Sequence, residues 1–246
     1  AGFERFPILG VCQGGAIAVE YAVRHPDQVT KLFLHATFAR GRLKRAATPR
    51  EVDSALQKFG MAMGMLAVFD MAGVDVGVPV HPATAAQSPP DPTYYQADFA
   101  LYDAGRLGQK TGKGYYRYEA GKRTPIVDPE VTDLIAQASR VAGLERRRID
   151  DAEIRDRLIL PMVNEGAKLI EEGIVERASD IDLVWQFGYG WPDWKGGPMY
   201  HADRLGIANI VQRLNALRDA HGERFEPAPL LVRLAQTQQG LTPVMP

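Results

Sequence analysis

Gly64-Met65-Leu66-Ala67-Val68-Phe69-Asp70-Met71-Ala72-Gly73 and Gly197-Pro198-Met199-Tyr200-His201-Ala202-Asp203-Arg204-Leu205-Gly206 share one frame. Each opens on glycine, places aspartate six residues later and closes on glycine three residues after that. Upstream of the first frame, Ala47-Thr48-(x)3-Val52-Asp53 resembles Ala178-Ser179-Asp180-Ile181-Asp182, and Phe59-Gly60 resembles Phe187-Gly188. The second copy carries about five extra residues around Tyr189 to Lys195, and the matched frame with its upstream resemblances favours a duplicated unit over chance similarity. Each copy is expected to bury its apolar face against the other.

The residues around these frames are helical in period. Thr48-Pro49-Arg50-Glu51 has an N-cap, Pro at the first helical position and Glu at the third. Val52, Ala55, Leu56 and Phe59 then line one face, and Gly60 can stop the helix. Further helices are expected over 65–71, 93–104, 128–142, 151–173, 179–187, 199–205, 207–220 and 228–236. In the longest, Ile154, Leu158, Pro161, Met162, Ala167 and Ile170 make the apolar face, with Pro161 as a kink. Residues 78–92 read as a Pro-rich loop, 105–114 as a flexible Gly-rich loop and 115–118 as a short extended piece.

The chain has 246 residues, 46% of them hydrophobic and 24% charged, which suits a globular protein and excludes a disordered or collagenous one. Twenty-nine basic against 30 acidic side chains leave a net charge of −1. No overall field draws such a chain to nucleic acid or to an anionic membrane. A single cysteine, Cys12, excludes an internal disulfide framework and suits a reducing compartment, so a cytoplasmic location is expected. No run of apolar residues is long enough to span a bilayer. The sequence starts at Ala1 and reads at once like the middle of a domain, so a fragment or a processed chain is expected.

Residues 1–45 have a different character. Phe6-Pro7-Ile8-Leu9 enters the turn Gly10-Val11-Cys12-Gln13-Gly14-Gly15, then residues 16–25 favour helix until Pro26, and residues 29–38 read as a strand. The order strand, turn, helix, strand is a βαβ unit with a parallel sheet. Gly10-Val11-Cys12-Gln13-Gly14 has the form of a nucleophile elbow, in which small residues expose a reactive side chain on a sharp turn. The segment resembles α/β-hydrolases, and its Cys form resembles the branches such as dienelactone hydrolases and polyhydroxyalkanoate synthases. Cys12 is therefore a candidate catalytic thiol. Later strands bearing an acid and a histidine, which that fold needs, do not follow Phe38.

A second resemblance covers residues 46–240. Leu56-Gln57-Lys58-Phe59-Gly60-Met61-Ala62-Met63-Gly64, Phe69-Asp70-Met71-Ala72-Gly73, and Gly105-Arg106-Leu107-Gly108-Gln109-Lys110-Thr111-Gly112-Lys113-Gly114-Tyr115-Tyr116 carry it. So do Val163-Asn164-Glu165-Gly166-Ala167-Lys168, Arg177-Ala178-Ser179-Asp180-Ile181-Asp182 and Gly188-Tyr189-Gly190-Trp191-Pro192 through Gly196-Gly197-Pro198-Met199. These look like the C-terminal half of 3-hydroxyacyl-CoA dehydrogenases, nearest to the multifunctional β-oxidation type. That type carries two related helical C-terminal domains, in agreement with the repeat. The expected fold is therefore mainly α: a βαβ fragment over 1–45, a first helical copy over 46–118, a connecting helix and linker over 119–148, and a second copy over 149–246.

The resemblance implies oxidation of a 3-hydroxyacyl-CoA with NAD as hydride acceptor, by a His–Glu pair assisted by Ser and Asn. No Rossmann fingerprint with its acidic partner occurs in these residues, and the glycines of 105–114 follow a helix rather than a strand. The family's His–Glu region would lie upstream of residue 1. In the second copy Arg157-Leu158-Ile159-Leu160-Pro161 is kept, but Asp156 stands where the family's Asn would be. The expected role is the substrate-side and dimerisation part of such an enzyme, inactive alone. Its partners would be an acyl-CoA and either a second copy or upstream domains. A thiol hydrolase using Cys12 and a non-catalytic helical interaction module are the alternatives.

Candidate substrate contacts are Met61, Met63 and Gly64 as acyl-channel lining, because Met adapts to varied chains, with core packing as the alternative. Lys110 and Lys113 could meet a CoA phosphate or the edge of a cofactor domain, with a solvated loop as the alternative. Asn164 and Glu165 could serve a site or a buried network. Tyr189, Trp191, Trp194 and Tyr200 are expected to form an aromatic cluster at an interdomain contact. His81, His201 and His221 show no metal-ligand spacing.

Overall fold

In a computed structural model the described residues are 6–11, 29–35, 47–78 and 96–242. Strands β1 (Phe6–Val11) and β2 (Val29–His35) pair in parallel, with Ile8 opposite Leu32 and Val11 opposite His35. Parallel pairing is what the βαβ reading requires. Cys12, His81, the helix expected over 16–25 and nearly all of the Pro-rich loop lie outside the described residues.

The remainder is helical. It comprises α1 (Pro49–Phe59), α2 (Met65–Ala72), α3 (Val74–Gly77), α4 (Gln96–Asp103), α5 (Pro129–Val141), α6 (Asp151–Glu171), α7 (Ala178–Tyr189), α8 (Pro198–Leu205), α9 (Ile207–His221) and α10 (Pro229–Thr237). The expected capping box at α1 forms in both directions. The Thr48 N–H donates to Glu51 Oε2 at 2.7 Å, and the Glu51 N–H donates to Thr48 Oγ1 at 3.3 Å. Asp128 caps α5, with Pro129 at the first helical position, by accepting from the Glu130 N–H at 3.1 Å.

Contacts divide the chain into two compact units that are not contiguous in sequence. One comprises Ala1–Val52 and Met65–Ile149, the other Asp53–Gly64 and Asp150–Pro246. In the first unit α4 packs on α5 and on α3, while α2 packs on α3 and on the short turn Gln109–Thr111. In the second unit α6 touches α7, α8, α9 and α10. It is therefore buried on more than the single face its periodicity suggests. Ile159, Leu160 and Val163 are buried along with Ile154, Leu158, Met162 and Ala167. Gly166 makes room for α8, since a Cβ there would stand 2.5 Å from Met199 Sδ.

The end of α7 departs from expectation. The helix runs past Gly188 to Tyr189 and stops at Gly190, which takes φ +66°. Gly190 is thus the counterpart of Gly60, whose φ of +117° ends α1, and Gly188 is an ordinary helical residue.

Candidate functional site

The duplicated frame rests on a steric relation between glycine and aspartate. A Cβ on Gly64 would stand 2.2 Å from Asp53 Cβ, and one on Gly197 would stand 2.3 Å from Asp182 Cβ. Both aspartates are buried. In the second copy the purpose is visible: Asp182 accepts the N–H groups of Met199 (2.7 Å) and Tyr200 (3.1 Å), in the first turn of α8. Only a bare glycine lets the carboxylate reach those donors. Burial raises the Asp182 carboxyl to about 6, against the pull of its two backbone hydrogen bonds.

The second aspartate of each frame holds the end of its own copy. Asp70 accepts from the Tyr115 N–H (2.7 Å), the Tyr116 N–H (2.9 Å) and the Tyr118 hydroxyl (2.9 Å). Asp203 accepts from the Leu241 N–H (2.7 Å), the Thr242 N–H (2.8 Å) and the Thr242 hydroxyl. A glycine precedes the donors in each case, Gly114 and Gly240, and a Cβ on either would press on the carboxylate at 2.0 Å and 3.0 Å. The repeat therefore extends to 114–116 and 240–242, a match the sequence frames alone did not reveal.

The Gly-rich loop is anchored rather than free. Arg106, 2% exposed, donates to the Gly114 carbonyl (2.9 Å), Asp128 (2.6 Å) and Glu130 (2.8 Å). Burial pushes the Asp128 carboxyl up, but the Arg106 guanidinium, the Glu130 N–H and the Lys113 charge together hold it below its ordinary value. The Gly108 N–H donates to the Lys113 carbonyl at 2.7 Å, and a Cβ on Gly108 would lie 2.2 Å from the Asp70 carbonyl oxygen. Gly108 and Gly114 serve close packing on Asp70. Their amides are turned inward, so the loop does not fit the pyrophosphate of NAD.

The other candidate residues fall apart in space or into packing. Met61 is buried and Met63 is 44% exposed. Lys110 pairs with Asp75 at 2.6 Å, and Lys113 stands 3.7 Å from Glu130. Asn164 is buried; its amide donates to the Glu226 carbonyl (2.8 Å) and accepts from the Ala228 N–H (2.7 Å). Glu165 pairs with Lys168 at 2.7 Å. Asp156, at the position of the family's Asn, is held by a two-pronged ion pair with Arg213. Among the described residues no group of three His, Cys, Asp or Glu is placed to hold a metal ion.

The aromatic cluster differs in membership from the expected one. Trp191 meets Phe59 at 5.1 Å, His201 at 5.8 Å and Trp185 at 6.1 Å between ring centroids, and Trp185 meets Tyr189 at 4.9 Å. Trp194 is 76% exposed, and Tyr200 is also exposed. Phe59, Trp185 and His201 were missed because nothing in a helical period marks which ring faces which. Burial, assisted by the charges of Lys195, Arg155 and Arg213, lowers His201 to about 4, so its imidazole is neutral at pH 7.

A family model for the 3-hydroxyacyl-CoA dehydrogenase C-terminal domain matches residues 36–118 and again 154–240. The chain belongs to this family. The double match coincides with the two aspartate–glycine frames, and it begins at residue 36, ten residues inside the segment read as hydrolase-like. The peroxisomal bifunctional enzyme of Danio rerio is 34% identical over 206 residues, covering 78% of this chain and 29% of that protein. The fatty acid oxidation complex subunit alpha of Acinetobacter baumannii is 38% identical over 200 residues, covering 78% of this chain and 27% of its own length. The chain thus spans less than a third of these relatives. Among solved structures, the dehydrogenase part of multifunctional enzyme 1 from C. elegans superposes with a TM-score of 0.61 at 26% identity, over 88% of this chain and 52% of that one. The 3-hydroxybutyryl-CoA dehydrogenase of Escherichia coli K12 shares the fold, with a TM-score of 0.59 at 19% identity over 89% and 63%. No helix among the described residues is long and apolar enough to cross a membrane.

Proposed function

We propose that this chain is the substrate-side and assembly part of an NAD-dependent 3-hydroxyacyl-CoA dehydrogenase of fatty-acid β-oxidation. The observation that carries the reading is the double family match, over 36–118 and 154–240, on the same residues that repeat the aspartate–glycine frame. In such a reaction a 3-hydroxyacyl-CoA loses a proton from oxygen and a hydride from carbon, and NAD takes the hydride. The part proposed for this chain is to bind and position the acyl-CoA. The copies would run over 46–118 and 149–246, joined by 119–148.

Of the candidate contacts, Met63 is solvent-facing in one unit and Lys110 in the other. Met61, Gly64 and Asn164 would act through shape. Assembly, with a second copy or with other domains of a longer dehydrogenase, is supported by the open apolar face of α7, where Leu183, Val184 and Phe187 are exposed, Phe187 by 87%. The single cysteine suits the cytoplasm, and the peroxisomal relatives make the peroxisome the compartment to test against it.

The test is an NADH-oxidation assay with acetoacetyl-CoA, run beside calorimetric titration of the same ligand. The expected result is binding without turnover by the chain alone. Turnover at enzymic rates from these residues alone, or absence of any acyl-CoA binding, would refute the proposal. Light scattering on the same sample reads the assembly part.

A further inference from the structure

The most exposed of the large apolar side chains described is Phe187, at 87%. It shares one face of α7 with Leu183 and Val184, both about half exposed. The duplicated frame does not impose this face. Leu183, Val184 and Phe187 stand one, two and five residues after the buried Asp182, and the same steps from Asp53 reach Ser54, Ala55 and Lys58. Ala55 is buried, and Lys58 is exposed in a pair with Asp151 at 2.6 Å. One copy covers or charges positions that the other leaves apolar and open, and contiguous open apolar surface marks a contact.

Gly188, the next residue, is a second and independent sign. It lies inside the helix and outside the left-handed region, and a Cβ on it would meet nothing within 4 Å. Gly64, Gly114, Gly166 and Gly240 also lie outside that region, but in each a Cβ would come within 3.0 Å of a neighbour. A glycine weakens a helix, so it is kept where backbone conformation or close approach requires it. Nothing within the described chain requires Gly188 to be bare, and the space it leaves open faces outward.

Charge selects the occupant. Arg177, at the N-cap of α7, is 73% exposed and pairs with Asp180 at 2.9 Å. A cation there opposes the dipole of its own helix, while the last turn, with its partly negative carbonyls, holds no basic residue. A second α7 laid antiparallel answers both ends at once. Pairing about the midpoint between Leu183 and Val184 sets each Arg177 beside the last turn of the other helix, where Gly188 leaves room for a long side chain. The same register sets each Phe187 ring against the other copy's Asp180 and the stem of its Arg177. The contact is self-complementary, as a two-fold axis requires.

We propose that two copies of this chain associate through the Leu183–Val184–Phe187 face of α7, antiparallel about a two-fold axis. The proposal names the partner for the assembly part of the reading above and rests on that part alone, not on acyl-CoA binding. One pair of helices covers less than the roughly 800 Å² per partner of a standard interface. The association is therefore weak, with a dissociation constant on the order of 10 μM or above.

Sedimentation equilibrium of the full chain, over a wide span of concentrations on both sides of that value, tests this. The expected result is a monomer–dimer equilibrium whose dissociation constant rises about tenfold or more in Phe187→Glu. Gly188→Gln separates loss of contact from loss of fold. It should raise the thermal midpoint, because a helix former replaces glycine in open space, and still weaken the dimer. Val184→Cys, in a Cys12→Ser background, should be joined into a dimer by a short bismaleimide, whereas Val141→Cys, exposed on α5, should not. If the wild type associates and Phe187→Glu and Gly188→Gln associate equally well, the α7 contact is overturned and assembly through another face stands. A wild type that stays monomeric throughout overturns both the contact and assembly with a second copy, while calorimetric titration still reads acyl-CoA binding on its own.

Discussion

Replacing Asp182 by asparagine separates two forces that act on one buried carboxylate. Burial pushes the group up to about 6, from an ordinary value of 3.8, while the Met199 and Tyr200 N–H groups pull it down. The folded carboxyl then holds its proton more tightly than the unfolded one. Folding takes up a proton between these two values, so this contribution to stability is fully present below pH 3.8 and is lost as pH rises through 6. A shift of that size corresponds to about 3 kcal/mol, and a discount for solvent screening leaves about 1–2 kcal/mol. Asp182→Asn cannot titrate. It also turns one N–H toward a backbone donor, at a constant cost of about 1 kcal/mol at every pH. The informative quantity is therefore the difference in unfolding free energy, wild type minus variant, followed by urea titration in steps from pH 4 to 7. That difference should fall by about 1–2 kcal/mol as pH rises. A flat difference, or one that grows with pH, would mean that the two hydrogen bonds outweigh burial, and the reasoning would be wrong.

Three further outcomes follow from the same geometry. Gly197→Ala should cost about 4 kcal/mol or more, because its Cβ would overlap Asp182 and φ is +94°, whereas Gly206→Ala, with open space around it and φ +86°, should cost only its backbone strain, about 1–3 kcal/mol. Thermal midpoints of the two variants check the ranking. Arg106→Met should destabilise by about 3–5 kcal/mol by leaving Asp128 without its buried counter-charge, and Arg106→Lys should rescue little because one ammonium cannot serve three acceptors in that fork, as urea titration would read. Asn164→Ala should cost about 2–3 kcal/mol by stranding the Glu226 carbonyl and the Ala228 N–H, with unchanged acyl-CoA affinity in the folded fraction; a selective loss of affinity without loss of stability would instead make Asn164 a ligand contact.

What could be read in the sequence was what depends on neighbours. Thr48 and Glu51, or Asp128 and Pro129, announce a helix start because the donors they satisfy lie within one turn. The spacing from Gly64 to Gly73 repeats at Gly197 to Gly206 because a steric demand at a glycine tolerates no side chain. The partners of the aspartates were not legible. Asp70 reaches Tyr115 and Asp203 reaches Leu241 across long stretches of chain, and an aspartate in a helix looks the same whether it faces water or a distant amide. The same blindness applies to Arg106, which reads as a loop cation and is among the least exposed charged groups. It applies also to Phe187, which looks like core from its residue type yet stands in solvent. Of the candidate site, the lysines and methionines were visible as types, but nothing in their spacing told that Lys110 is answered by Asp75 or that Met61 is buried while Met63 is not.

The hold of Arg106 on Asp128, Glu130 and the Gly114 carbonyl has a mechanical side. Residues 107–127 leave and return to that one guanidinium, so it closes them into a ring without a covalent bond. Residues 119–125 on the ring are exposed throughout. A single protease cut there would open the ring but not release it, because each new end stays tied, one through the Gly114 carbonyl and the Asp70 carboxylate, the other through α5. The stretch is thus a place where foreign sequence could be spliced in, or the chain reopened with new termini, while the two copies on either side keep their folds.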